Sequence, residues 1–301
     1  MWFKNIHVFS LVDHFALSAE QLQTLLLEHR ARPCGKLEPM HYGWASPWGM
    51  GSDSLLHASQ GRYLLVARKE EKLLPASVVK EQVLMKVAEI EREEHREVTG
   101  REKKSLFEQL SIQLLPQAFS KAQLTYAYID LEKQWLVIDS SNHTRAEDLT
   151  VLLRQTLGSL KLSEIKVASS PSVLFTEWVS GQGLPHDFCL EDYCELQDPN
   201  SASTVIKCMN QDVMAKEVLG HIDSGKQVIK LALTWQDRIT FIVDQQLGIR
   251  RIRFLDLVQQ QVDDANVESP EEKFDADFMI FSSEFALFLP RLWEVFGGLA
   301  E

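Results

Sequence analysis

The side chains able to do chemistry are few and dispersed along the 301 residues. No G-x-S-x-G stretch presents a nucleophilic serine, and no G-x-x-x-x-G-K-[ST] or G-x-G-x-x-G loop could cradle a phosphate. His41, His57, His143 and His221 stand singly, which marks packed or surface residues and gives none of them a general-base role. Cys34, Cys189, Cys194 and Cys208 lack the paired spacing of a zinc site and read as ordinary thiols. Asp275 and Asp277 share one face if a strand begins there, as a divalent-cation pair would. With no third ligand in reach, a solvated acidic edge or structural pair is the simpler reading, and a metal-dependent hydrolase is the rival. The expectation is a protein that is not an enzyme and holds neither cofactor nor metal.

Positive charge remains. Net charge is −12, yet six basic residues face two acidic ones between Gly225 and Phe254, and eleven acidic residues face Lys273 and Arg291 from Leu255 onward. An acidic protein still binds a polyanion through a locally positive surface, because potential is local over a Debye length of about 8 Å. Alternation puts Arg251 and Arg253 on one strand face with Ile249, and Arg250 on the other with Ile252 and Phe254. Beside Lys226 and Lys230, the first pair would meet phosphates without reading bases. A solvated face balanced by the acidic C-terminal segment is the alternative.

These cations need strands to hold them. Runs at 227–235, 238–244 and 249–255, joined at Gln236-Asp237 and by a turn ending in Gly248, form an antiparallel meander. Residues 3–12 suit a first strand, and Leu124, Tyr126 and Tyr128 pair back onto 135–139. Capping boxes Ser18/Gln21, Thr99/Glu102 and Thr144/Glu147, with caps at Ser77 and Asp212, open helices. Val79, Val83, Val87 and Ile90 form a thin stripe on the Ser77 helix, and Leu106, Phe107, Leu110 and Leu114 line the next, so a charged helical hairpin projects. Residues 33–52 read as an ordered loop pinned by buried Trp44 and Trp48, with a ligand platform as the other possibility. Residues 173–179 alternate as a strand, 180–199 read as an acidic loop, 205–209 as a strand, 276–281 as a strand, and a terminal helix kinked by Pro290 starts at Ser283. The class is α+β, with antiparallel sheets and packed helices. Sparse cysteine and the lack of a leader or membrane-length apolar run suggest a cytoplasmic protein.

Seven collinear strings carry a resemblance: MWFKN, ARKEEKLLP, LLPQAFSK, AEDLTVLLRQTLGSL, TEWV, HIDSGKQVIKLALTWQDRITF and KFDADF. They resemble the recombination-associated RdgC family along essentially the whole chain. The resemblance implies a nucleoid-associated, ring-forming homodimer that surrounds double-stranded DNA, with single-stranded DNA also a partner, and restrains recombination by RecA. Its implied organisation is an α+β domain from 1–75 and 119–165, the hairpin 76–118 as tip, and a C-terminal α+β domain, 166–301, as dimer base. Implied DNA-facing residues are Arg68, Lys69, Lys72, Arg96, Arg101, Gln211 and Lys226, to which the meander adds Lys230, Arg251 and Arg253. Phe119, with Gln117, is the implied gate between subunits. Asn210, Glu97 and Val98, where the family tends to lysine, and Pro290 are departures. An acidic scaffold for recombination or replication proteins, touching DNA incidentally, is the alternative function.

Overall fold

Alternating apolar and polar residues build one antiparallel sheet. The computed structural model describes residues 2–49, 51–264 and 269–300. Its strands are β1 (Ile6–Leu11), β2 (Met40–Ala45), β3 (Leu56–Ser59), β4 (Arg62–Leu73), β5 (Phe119–Asp130), β6 (Trp135–Asp139), β7 (Leu162–Glu164), β8 (Phe188–Asp198), β9 (Ser201–Met209), β10 (Gln227–Trp235), β11 (Ile239–Asp244) and β12 (Ile249–Phe254). They run in the order β2-β4-β5-β6-β1-β12-β11-β10-β8-β9, with β3 also on β4 and β7 also on β1. The two halves of the chain thus share one sheet through β1 and β12, registered at Ile6 opposite Ile249. Ile252 N–H donates to the Lys4 carbonyl and extends that seam.

Eight α-helices lie among the described residues: α1 (Ala19–Glu28), α2 (Ala76–Glu94), α3 (Gly100–Leu114), α4 (His143–Leu157), α5 (Pro171–Val179), α6 (Lys216–Asp223), α7 (Asp256–Asp264) and α8 (Pro270–Val295). Neighbouring residues of one strand enter different cores, as the two-residue period requires. Leu65, Ala127, Ile129, Leu136 and Ile138 meet α1 and α4 on one face, while Ile6, Leu64, Tyr128 and Val137 meet α8 on the other. On α8, Phe278, Phe281, Phe285, Phe288 and Leu292 follow at spacings of three and four, and all five are fully buried. Each such side chain contributes about 1.5–3 kcal/mol by leaving water. Polar ties hold the same helix: Arg62 reaches Ser283 Oγ at 3.1 Å, Arg238 forks onto Glu284, and Arg291 Nε lies 2.8 Å from Asp187.

Several expectations are corrected. Residues 173–179 are helix α5, because Pro171 after Ser170 pre-sets the first turn and Phe175, Trp178 and Val179 share a buried face. The stretch 276–281 lies within α8, opened by a Ser269/Glu272 capping box. The supposed acidic loop 180–199 contains β8, which pairs with β9 and β10. Residues 33–52 contain β2. Trp44 is buried there and donates to Thr156 Oγ1 at 2.8 Å, but Trp48 is 37% exposed. Gly43 is needed in β2, since a Cβ would lie 2.6 Å from the His29 carbonyl oxygen. Three caps also move. Pro75, not Ser77, precedes α2; Asn142 caps α4 in place of Thr144; and Asp212 accepts from Met214 N–H in a turn before α6 begins. Pro290 lies inside α8 as anticipated.

Candidate nucleic-acid interface

β12 does not alternate as its sequence suggests. Arg251 sits at φ 51° in a register shift, so Ile249, Ile252 and Phe254 all enter the same core while Arg251 and Arg253 are exposed. The shared face predicted for Ile249 with the two arginines is therefore broken by a bulge, which re-aims side chains by one residue. Helices α5, α6 and α8 fill the core on one side of β8–β12. The opposite face gathers cations around one carboxylate. Glu195, 4% exposed, lies 2.9 Å from Lys230 Nζ and 3.3 Å from Lys207 Nζ, and accepts from Tyr193 Oη at 2.5 Å. Burial pushes the Glu195 carboxyl up, but the Tyr193 hydroxyl and the two ammonium groups outweigh it and hold the pKa below the ordinary value. Burial and the Glu195 hydrogen bond push the Tyr193 phenol up to about 12. Arg251 lies over the Tyr193 ring, 5.4 Å from its centroid. Lys207 and Lys230 thus meet one anion and Arg251 covers the Tyr193 ring beside it, so cations outnumber the Glu195 carboxylate here, with exposed Arg253 farther along β12.

Lys207, Tyr193 and Glu195 were not singled out from the sequence. The signal was available in Tyr193 and Glu195 alternating with Cys194 and Leu196, both buried. Lys226 donates to Ser224 Oγ at 3.0 Å beyond α6, and Gln211 is exposed between β9 and α6. Asn210 adopts φ 55°, a left-handed conformation that asparagine tolerates better than lysine.

A second group lies along β4 and β5, which pair from Arg62/Asp130 out to Leu73/Phe119. Here the cations are engaged. Arg68 pairs with Glu70 at 2.5 Å, Lys69 reaches Glu71 at 3.0 Å and Asp148 at 3.4 Å, and Lys72 donates to the Ala118 carbonyl. Past β4, α2 and α3 pack on each other in a separate small core of Val79, Val83, Val87 and Val98. Val98 is 5% exposed there, so apolar packing accounts for this departure. Arg96 bridges Glu94 and Glu102 at 2.7 Å each, and its guanidinium with the Thr99 amide draws the Glu102 carboxyl down to about 2. Arg101 is exposed in the first turn of α3. Phe119 is 84% exposed and Gln117 is exposed just before it.

The family described as "Putative exonuclease, RdgC" matches residues 1–299. A Pseudomonas aeruginosa protein named Recombination-associated protein RdgC is 38% identical over 299 residues, 99% of this chain and 98% of its own. Proteins of that name from Aeromonas hydrophila and Yersinia enterocolitica are each 37% identical over 298 and 301 residues, covering 99% and 100% of this chain and 98% and 99% of their own. The chain belongs to the RdgC family.

The RdgC relatives are named for association with recombination, while the family description carries the word exonuclease. In this RdgC-family chain, Asp275 and Asp277 stand two apart on α8, about 200° around the helix, and do not share a face. Asp275 Oδ1 lies 2.9 Å from His57 Nε2, and Asp277 is buried. Among the described residues no group of three or more His, Cys, Asp or Glu is placed to hold a metal ion. No described helix is long and apolar enough to cross a membrane. What the gathered groups offer is charge and hydrogen-bond donation. Lysine and arginine at these positions suit contact with phosphate oxygens rather than proton transfer.

Proposed function

We propose that this chain is a sequence-nonspecific DNA-binding protein that closes as a homodimeric ring around duplex DNA and restrains RecA-promoted recombination by occupancy. The observation that carries the reading is the pairing of Lys207 and Lys230 with Glu195 and of Arg251 with the neighbouring Tyr193 ring, on the sheet face opposite α8, with Arg253 exposed farther along β12. Such a face contacts phosphates through charge and donors, with no base-reading element inserted into a groove. Family membership supplies the link to recombination. Arg68, Lys69, Lys72, Arg96, Arg101, Gln211 and Lys226 extend the interface, and DNA competes for those already held in surface ion pairs. The exposed pairs of Arg96 hold their partners by about 0–1 kcal/mol, so exchange toward phosphate is inexpensive there, whereas Arg68 is held by the buried Glu70 carboxylate.

Phe119 is the gate. An aromatic side chain 84% exposed at the start of β5 gains nothing from its own subunit and is suited to burial against a second one. The domain arrangement follows: the tip formed by 76–118, the α+β unit of 1–75 with 119–165, and the base 166–301 supplying the fixed contact. In the cell the ring would work on the nucleoid in the cytoplasm. Phe119→Ala is expected to leave the thermal midpoint unchanged while dissociation from closed circular duplex quickens by about tenfold, the scale of a lost interface anchor. Wild-type dissociation from closed circles in that variant would remove the gate from the account.

A further inference from the structure

Strand β1 has β6 along one edge, but its other edge is shared. β12 meets it at Ile6 and β7 only from Phe9 onward. At His7 and Val8 that edge opens on a cavity of about 380 Å³ bounded by His7, His143, Asp244, Arg250 and Trp293. Three residues that line this cavity each carry a buried nitrogen with no hydrogen-bond partner among the described residues: His7 Nε2, Arg250 Nε and Trp293 Nε1. They come from β1, β12 and α8, so the two halves of the chain converge on the same space.

The unpartnered groups are of one kind. An indole N–H and a guanidinium Nε–H only donate, and His7 Nε2 donates when it carries its proton. Leaving each buried and unsatisfied costs about 1–3 kcal/mol, so the cavity calls for an occupant rich in acceptors. The nearby acids do not meet that need. Asp244 Oδ1 already accepts from the amides of Gln246 and Gly248, at 3.0 and 2.9 Å, and its Oδ2 lies 3.3 Å from Arg250 Nη2. Glu164 lies 3.4 Å from His143 Nε2 and is 60% exposed. The His7 and His143 rings stand 5.4 Å apart.

We propose that this cavity is a binding site for a small oxyanion, a phosphate or carboxylate, held by Arg250 Nε, Trp293 Nε1 and His7 Nε2, with apolar walls that admit a small organic body. Nothing in it depends on DNA binding or ring closure. Because the ligands come from β1, β12 and α8, an occupant would brace the seam between the halves of the sheet.

The test uses the isotope-labelled full-length chain, following the His7 and His143 ring nitrogens by NMR during titration with inorganic phosphate, acetate or deoxycytidine 5′-monophosphate. Sodium chloride at matched ionic strength is the control. A saturable shift of both rings at millimolar concentration or below, with any of the three and not with chloride, is expected. The tightest of the three distinguishes free phosphate, a carboxylate and a nucleotide phosphate. Trp293→Phe keeps the ring and removes the donor, and should weaken that binding by about tenfold, as for one hydrogen bond to a charged group. No saturable shift with any probe in the wild-type chain would overturn the proposal and leave the donors to ordered water. A wild-type affinity in a folded Trp293→Phe variant would do the same for the assigned geometry.

Discussion

Phe281→Ala tests whether α8 joins the two halves of the chain. The Phe281 ring is fully buried and lies 4.9 Å from Phe3, 6.0 Å from Trp2 and 6.3 Å from Tyr128, all from the first half. Its other neighbours are Phe278 and Phe285, at 5.6 and 5.9 Å on its own helix. Removing a buried phenyl costs about 3–5 kcal/mol in lost transfer energy and cavity formation, and five ring partners on both sides place this site near the middle, about 4 kcal/mol. That is a large share of a typical stability of about 5–15 kcal/mol. With a urea m-value of about 3 kcal/mol/M, the midpoint should fall by about 1.3 M. Tryptophan fluorescence and far-UV circular dichroism would follow the transition, and Leu287→Ala, at a position 62% exposed on the same helix, should change stability by less than about 0.5 kcal/mol. A loss below about 1 kcal/mol for Phe281→Ala, or equal losses for the two variants, would refute the packing argument.

Three further outcomes rest on the charged groups. Glu195→Gln keeps the shape and an acceptor for Tyr193 but removes the anion between Lys207 and Lys230; duplex affinity at fixed salt should rise by about fivefold, near 1 kcal/mol. The same variant should lose about 1 kcal/mol of stability, read by urea denaturation, because the lysines it leaves remain reachable by water. Acidification should destabilise the fold through two histidines. Burial lowers the His57 pKa against the pull of Asp275, and burial, His143 and Arg250 lower that of His7 against the pull of Asp244. In the unfolded chain both bind protons from about pH 6.5 downward, so the unfolded state takes up more protons and stability falls as pH drops below that value. Thermal melts through the window should show this, and His57→Asn with His7→Asn should flatten the dependence.

The sequence spoke clearly where one local rule acted alone. The β10–β11 hairpin was legible because its alternation meets the Gln236-Asp237 turn, where both residues adopt positive φ, at 49° and 51°, whereas the bulge at Arg251 in β12 was not. The Ser18/Gln21 and Thr99/Glu102 boxes were likewise read correctly as helix starts. Mistakes arose where two periods fit one stretch. Residues 276–281 are apolar enough for a strand, and only the distant Ser269-Pro270-Glu271-Glu272 start marks them as helical. β8 was hidden by Glu191, Asp192 and Glu195, whose charges suggested a loop; Glu191 accepts from Thr234 Oγ1 and Glu195 from lysines on the flanking strands. For the candidate interface, residue types were legible but engagement was not. Lys69 meets Asp148 from α4, and Lys230 meets Glu195 from β8, contacts that only the folded sheet creates.

The most direct test of DNA binding is the affinity of the full chain for a random-sequence linear duplex, measured by fluorescence anisotropy across a salt series. Contacts to about four or more phosphates predict that log affinity falls linearly with log salt at a slope of about −3.6 or steeper. No binding at low salt, or an affinity indifferent to salt, would mean that the cations around Glu195 are merely solvated, and the encirclement account would fail with them.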